Sequence, residues 1–158
     1  MIEMFTDGAA KGNPGPGGFG VILRYGKHEK EISGGYRRTT NNRMELIAVI
    51  AGLEAINKEG MEVIVHTDSR YVVDAIEKKW IYGWMKKSFA GKKNSDLWMR
   101  LMRAVARHKV NFIWVRGHVG HPENERCDKL AVEASEMPGL AADIYFEANE
   151  KGKAGMYD

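Results

Sequence analysis

Two Thr-Asp pairs close apolar runs in this 158-residue sequence: Thr6-Asp7 after "IEMF" and Thr67-Asp68 after "EVIVH". If those runs are neighbouring parallel strands, they stand about 5 Å apart and both aspartates reach one end of a sheet. That end, outside the carboxyl termini of the strands, is where open α/β sheets bind ligands. Two further acids lie where helices would begin beside such a site: Glu45, one turn into an apolar helical stretch, and Asp128, in the helical stretch after the last strand. Acids gathered there repel one another unless a cation intervenes. Four oxygen ligands suit hard Mg²⁺ or Mn²⁺ rather than zinc. Two such ions about 3.5–4 Å apart can activate a water and stabilise the leaving oxygen in phosphodiester hydrolysis.

Each acid also has a purely structural reading. Asp68 precedes a helix and could cap it. Asn42-x-x-Glu45 follows the logic of a capping box. Asp128 could pair with Lys129 or Arg126, and Asp7 could make an Asx-turn. The stretch "RGHVGHPENERCD" offers a rival metal set in His118, His121 and Cys127, but no second closely spaced ligand pair completes a zinc site. His118, in a glycine-flanked loop, suits proton transfer near neutral pH.

The elements that must position these groups are legible as patterns. Residues 2–6 read as a strand that runs on past Asp7, and 18–25 and 29–36 as a hairpin around Gly26-Lys27-His28. "NNRMELIAVIAGLEAINKEG" reads as a helix from the Asn41-Asn42 pair to Gly60. It is buried on most sides, because 46–53 contain no polar side chain. A strand (61–68), a helix (69–79), a second helix with apolar residues at helical spacing (96–108), a strand (110–116) and a helix (123–136) follow. The order β-β-β-α-β-α-α-β-α predicts an α/β fold: a mixed sheet with helices on both faces. The length suits one domain. The tail from Ala141 has little pattern, and 149–158 are expected to be mobile.

The chain is 44% hydrophobic and 28% charged, ordinary for a soluble protein, and has no apolar run of membrane-spanning length and no signal-peptide pattern. A single cysteine, Cys127, excludes an internal disulfide and fits a reducing compartment.

"FTDGAAKGNPGPGGFG" (5–20) contains a G-x-G-x-x-G match, but a strand-like "VILRY" follows it where a dinucleotide loop needs a helix. Its prolines also remove amide donors. The glycines are instead expected to serve a tight strand connection and close approach, including approach by a nucleic acid. Net charge is +3, yet "KKWIYGWMKKSFAGKK" (78–93) carries six lysines and no acid, interleaved with Trp80, Tyr82, Trp84 and Phe89. Lysines neutralise phosphates and aromatic rings pack on sugars or bases, so this segment predicts a nucleic-acid handle.

Four blocks, "FTDGAAKGNPGPGGFG", "TTNNRMELIAVIAGLEAI", "HTDSRYVVDAI" and "WVRGHVGHPENERCDKLA", resemble in order and spacing the signature blocks of bacterial ribonuclease H type 1, across residues 2–137. The resemblance implies a ribonuclease H-like fold in residues 1–140, with a five-stranded mixed sheet of three antiparallel and then parallel strands; 141–158 would form a tail whose partner is unknown. It implies a monomeric cytoplasmic endonuclease that cuts the RNA strand of RNA–DNA hybrids, leaving 5′-phosphate and 3′-hydroxyl ends, and that removes RNA primers and R-loops in DNA replication and repair. Two Mg²⁺ ions would act with substrate, Mn²⁺ being a substitute. Asp7, Glu45, Asp68 and Asp128 fall on the metal-binding acids, and His118 on a loop histidine that aids proton transfer or product departure. Asn13, Asn41 and Asn42 match contacts near the ribose hydroxyls. Arg38, Thr40 and Asn94 match a pocket for a DNA-strand phosphate, and Trp80, Trp84, Lys86 and Lys87 a basic protrusion on the DNA strand. The chain departs from the pattern in a short protrusion and in Arg70, where bacterial relatives often carry glutamine.

Overall fold

The computed structural model describes residues 1–116 and 120–157, with 151–157 described for the backbone alone. Five strands form one sheet: β1 (Ile2–Ala10), β2 (Gly15–Tyr25), β3 (His28–Thr39), β4 (Glu62–Thr67) and β5 (Lys109–Trp114), in spatial order β3-β2-β1-β4-β5. The first three pair antiparallel, and β4 and β5 extend the sheet in parallel from β1. Helix α1 (Asn41–Glu54) crosses from β3 to β4. α2 (Arg70–Glu77), α3 (Trp80–Lys86) and α4 (Ser95–Ala106) connect β4 to β5, and α5 (Pro122–Ser135) and α6 (Ile144–Tyr157) follow.

Alternation along β1 divides the interior. Met4 packs in the main core with Val21, Val49, Leu53 and Val65, while Phe5 on the opposite face packs with Ile22 and Cys127 of α5. Ten of the fourteen residues of α1 are buried, as the absence of polar side chains in its centre predicts. The helix ends at Glu54 rather than Gly60. Ile56 turns inward and is buried, and Gly60, at φ +73°, donates to the Arg107 carbonyl as the chain enters β4.

The order differs from the sequence reading in two places. The lysine- and tryptophan-rich segment forms its own helix α3, set off from α2 by Lys79 in the left-handed region (φ 59°). Residues 144–157, weakly patterned in sequence, form α6, and Arg37 N–H donates to the Ala141 carbonyl beside β3. Within the glycine run, Gly20 serves close approach inside the fold: a Cβ there would strike the Cys127 carbonyl, so this glycine admits helix α5 to the sheet.

Candidate active site

The parallel pairing of β1 with β4 sets Phe5 opposite His66. Continuing that register by two residues brings Asp7 beside Asp68, which lies just past the end of β4. Glu45 comes from α1, and Gly8 is what lets it arrive. A Cβ at Gly8 would collide with the Met44 and Glu45 backbone, so the bare glycine lets α1 lie directly on β1. Gly8 N–H then donates to Glu45 Oε1 and also to Asp7 Oδ1 (3.0 Å). One ligand oxygen from each of Asp7, Glu45 and Asp68 lies within 4.8 Å of the others.

The capping alternatives for two of these acids fail. The α2 cap is Ser69, whose hydroxyl accepts from Val72 N–H at 3.3 Å, and the α1 cap is Thr40, whose hydroxyl accepts from Arg43 N–H at 3.2 Å. Asp68 and Glu45 are therefore not needed at those helix ends.

The electrostatics of the cluster are those of a cation site. Burial pushes Glu45 well above the ordinary carboxylate range. The charge of Asp7, a hydrogen bond with it, and the charge of Asp68 push the same way, against the Gly8 amide. Glu45 Oε2 is buried without a hydrogen-bond partner. A hard divalent cation would satisfy that oxygen and cancel the repulsion, and the all-carboxylate donor set fits Mg²⁺ or Mn²⁺. These three acids are thus positioned to coordinate divalent metal ions.

Asp128 is not one of the three whose oxygens come within that distance. It follows Cys127, which donates from Sγ to the Phe5 carbonyl at 3.2 Å, so it rides on α5 alongside β1, partly exposed. Arg126, one of its suggested partners, is instead committed to Glu29 and Glu31. His118 lies outside the described residues. His121 precedes Pro122 at the start of α5, and burial pushes the Cys127 thiol up to about 12, which suits a packed thiol rather than a metal ligand.

Beside the acids, the polar residues assigned to the hybrid gather at the start of α1. Asn13 Oδ1 accepts from Asn41 N–H at 3.1 Å, next to the Thr40 cap. Asn42 shares a cleft of about 520 Å³ with Asn94, Trp80, Trp84 and Lys92. Lys92 Nζ lies 4.0 Å from the centroid of the Trp84 ring, and that ring packs edge-on against buried Trp98. Trp84 is thus half core and half surface, whereas Trp80, Lys86 and Lys87 are exposed. The Arg38 guanidinium is engaged by the tail helix: its Nε and Nη2 donate to Glu150 of α6 at 2.6 and 2.8 Å.

Sequence reasoning missed the residue that organises this region. Arg43, two positions before Glu45, is fully buried, and donates to Asp143 (2.7 and 3.0 Å), Asp96 (2.9 and 2.8 Å) and Asn94 Oδ1 (3.2 Å). Asn94 in turn donates to the Tyr71 hydroxyl at 3.0 Å. A lone arginine at the start of a helix that is otherwise buried was the available signal. Asn124, buried at the start of α5 and donating to the His66 carbonyl at 3.2 Å, had none.

Among the described residues no helix is long and apolar enough to cross a membrane. The family model for RNase H matches residues 1–136. A ribonuclease H of Desulforamulus reducens is 55% identical over 148 residues, covering 90% of this chain and 92% of that one. One from Erythrobacter litoralis is 60% identical over 141 residues, covering 86% and 96%. Among solved structures, LC9-RNase H1, a type 1 RNase H with the type 2 active-site motif, superposes with a TM-score of 0.77 at 34% identity, covering 85% of this chain and 71% of that one. LC11-RNase H1 in complex with an RNA/DNA hybrid gives 0.65 at 26% identity, covering 86% and 97%.

Proposed function

Since this chain belongs to the RNase H family, hydrolases that cut RNA within RNA–DNA hybrids, we propose how its own residues divide that work. Asp7, Glu45 and Asp68 hold the metal ions, and Asp128 adds a fourth, more adaptable carboxylate from α5. The observation that carries this division is the approach of three acids from β1, α1 and the end of β4, with a buried oxygen left unpartnered. When bound, two Mg²⁺ ions supply an activated water and the charge that stabilises a departing 3′-oxygen. The products are a 5′-phosphate and a 3′-hydroxyl.

Asp7, buried and within 4.8 Å of ligand oxygens of both Glu45 and Asp68, would be one of the residues that hold the ions. Asn13, Asn41 and Asn42 read the RNA strand, because an amide both donates to and accepts from a 2′-hydroxyl, which DNA lacks. Thr40 and Asn94, with Arg38 once released from Glu150, receive a DNA-strand phosphate. The lysines and tryptophans of residues 78–93, including Trp80, Trp84, Lys86 and Lys87, grip the DNA strand beyond it. His118 carries protons or speeds product departure. The protein acts as a monomer in the cytoplasm on primers and R-loops, residues 1–140 being the catalytic domain and 141–158 an appended tail.

The test is a labelled RNA–DNA hybrid, duplex DNA and duplex RNA, each with Mg²⁺ and with chelator. Cleavage of the hybrid's RNA strand alone, only with Mg²⁺, is expected. Asp7→Asn should bind the hybrid without cutting it, and cutting by that variant near the wild-type rate would sink the assignment.

A further inference from the structure

Arg70 stands at the junction of the two regions just described. It opens α2, two residues after Asp68, and it lines the cleft that holds Asn42, Asn94, Trp84 and Lys92. Its guanidinium lies over the Trp114 ring, 4.2 Å from the centroid. That ring is itself fixed: Trp114 Nε1–H donates to the Asp68 main-chain carbonyl at 3.2 Å. The platform under Arg70 is therefore tied to the same residue that supplies one of the clustered acids. Arg70 thus stands beside the clustered acids, two residues along the chain from Asp68, with its guanidinium on a fixed surface.

The charge of Arg70 is not spent within the fold. Its Nε lies 3.7 Å from Asp74 Oδ2, but Lys78 Nζ lies 3.7 Å from that same oxygen, so one carboxylate is shared by two cations. Among the described residues Arg70 makes no hydrogen bond, and its side chain is 58% exposed. Stacking on an indole costs a guanidinium little, because it is weakly hydrated, and leaves its in-plane donors directed outward. Such a held, planar donor fork matches a phosphate diester.

We propose that Arg70, held flat on Trp114, binds a backbone phosphate of the RNA strand next to the one being cut. This rests on the placement of the RNA strand at Asp7, Glu45 and Asp68. Trp114 is the positioning residue, and Asp74 competes with the phosphate for the guanidinium.

The experiment compares wild type with Arg70→Gln, Arg70→Lys, Trp114→Leu and Asp74→Asn on one hybrid between 50 and 200 mM KCl. Arg70→Gln should raise KM about three- to tenfold while kcat changes less than about twofold, and should make the salt dependence of log kcat/KM shallower by about 0.7–0.9, one phosphate contact. Arg70→Lys and Trp114→Leu keep the charge, so they should keep the wild-type salt slope yet raise KM. Asp74→Asn should lower KM. The same series in an Asp7→Asn background, read as equilibrium hybrid binding, gives the slope without any cleavage. A wild-type chain that binds hybrid but never cuts it would refute the metal-site reading alone. Wild-type slope and KM in Arg70→Gln would overturn the role of Arg70.

Discussion

Helix α1 carries two buried charges two residues apart, and the molecule treats them in opposite ways. Arg43 is 2% exposed and Glu45 4%. Arg43 sits between two carboxylates, Asp96 and Asp143, with a hydrogen bond for every N–H donor it presents. Its two partners push its pKa above the ordinary arginine value against the opposing effect of burial. Glu45 faces other acids, keeps one oxygen unpartnered and is pushed toward protonation. The Arg43 cluster is internally balanced, so it needs nothing further to hold α1, α4 and the entry to α6 together. The Glu45 cluster is internally frustrated, so it is completed by a cation. A buried charge thus reads as structure when its neighbours neutralise it and as a functional site when they do not.

The largest expected effect tests that contrast directly. Asp7→Asn should reduce cleavage by about a thousandfold or more, since it removes one of the three clustered carboxylates that would hold the ions. Arg43→Met should leave Asp96 and Asp143 facing each other and cost about 3–5 kcal/mol in urea unfolding, as breaking a buried pair does. Folded Arg43→Met should still cut. Complete loss of cleavage in folded protein would make Arg43 part of the site and erase the contrast.

The pH dependence of the metal-free protein sharpens it. The folded pKa of Glu45 lies above its unfolded value, so the folded state binds the extra proton between the two. Both states are protonated below about pH 4. The penalty therefore grows as pH rises from there toward neutrality, the reverse of an ion-paired carboxylate. Chelated wild-type protein should lose stability over that range. Glu45→Gln should flatten the loss and be more stable than chelated wild type at pH 7. Mg²⁺ at ten times its dissociation constant should restore about 1.4 kcal/mol to wild type and little to Asp7→Asn. A thermal melt series in buffer, chelator and Mg²⁺ reads both. The smallest effect concerns the exposed Arg38–Glu150 pair, where Glu150→Gln should free Arg38 and lower KM for hybrid by about twofold at low salt, in keeping with the weakness of surface pairs.

Much of this was legible along the chain. Asp7, Glu45 and Asp68 could be chosen because Thr-Asp at a strand end and an acid in an apolar helix are local features. The glycines of 5–20 could be kept from a nucleotide reading because a strand, not a helix, followed. The end of α1 was misplaced because the inward turn of Ile56 depends on the core beneath it. α6 was missed because Asp143, Glu147 and Glu150 show their purpose only against Arg43, Arg37 and Arg38, more than a hundred residues earlier for the two surface pairs and one hundred for the buried one. Arg70 reads as an ordinary helix cation until Trp114 lies under it.

Periodicity, turn chemistry and residue type are properties of short windows, and so the sequence by itself determined the five strands in their order and the helices α1, α2, α4 and α5 between and after them, the buried character of α1 and which carboxylates were available for a hard cation. Which of them meet was decided only by the tertiary structure. Parallel pairing of β1 with β4 aligns Asp7 with Asp68, and the missing side chain at Gly8 lets α1 deliver Glu45. The same packing gave neighbouring Arg43 two compensating acids and left Glu45 without one, because compensation depends on what lies opposite in space rather than on what lies beside it in the chain.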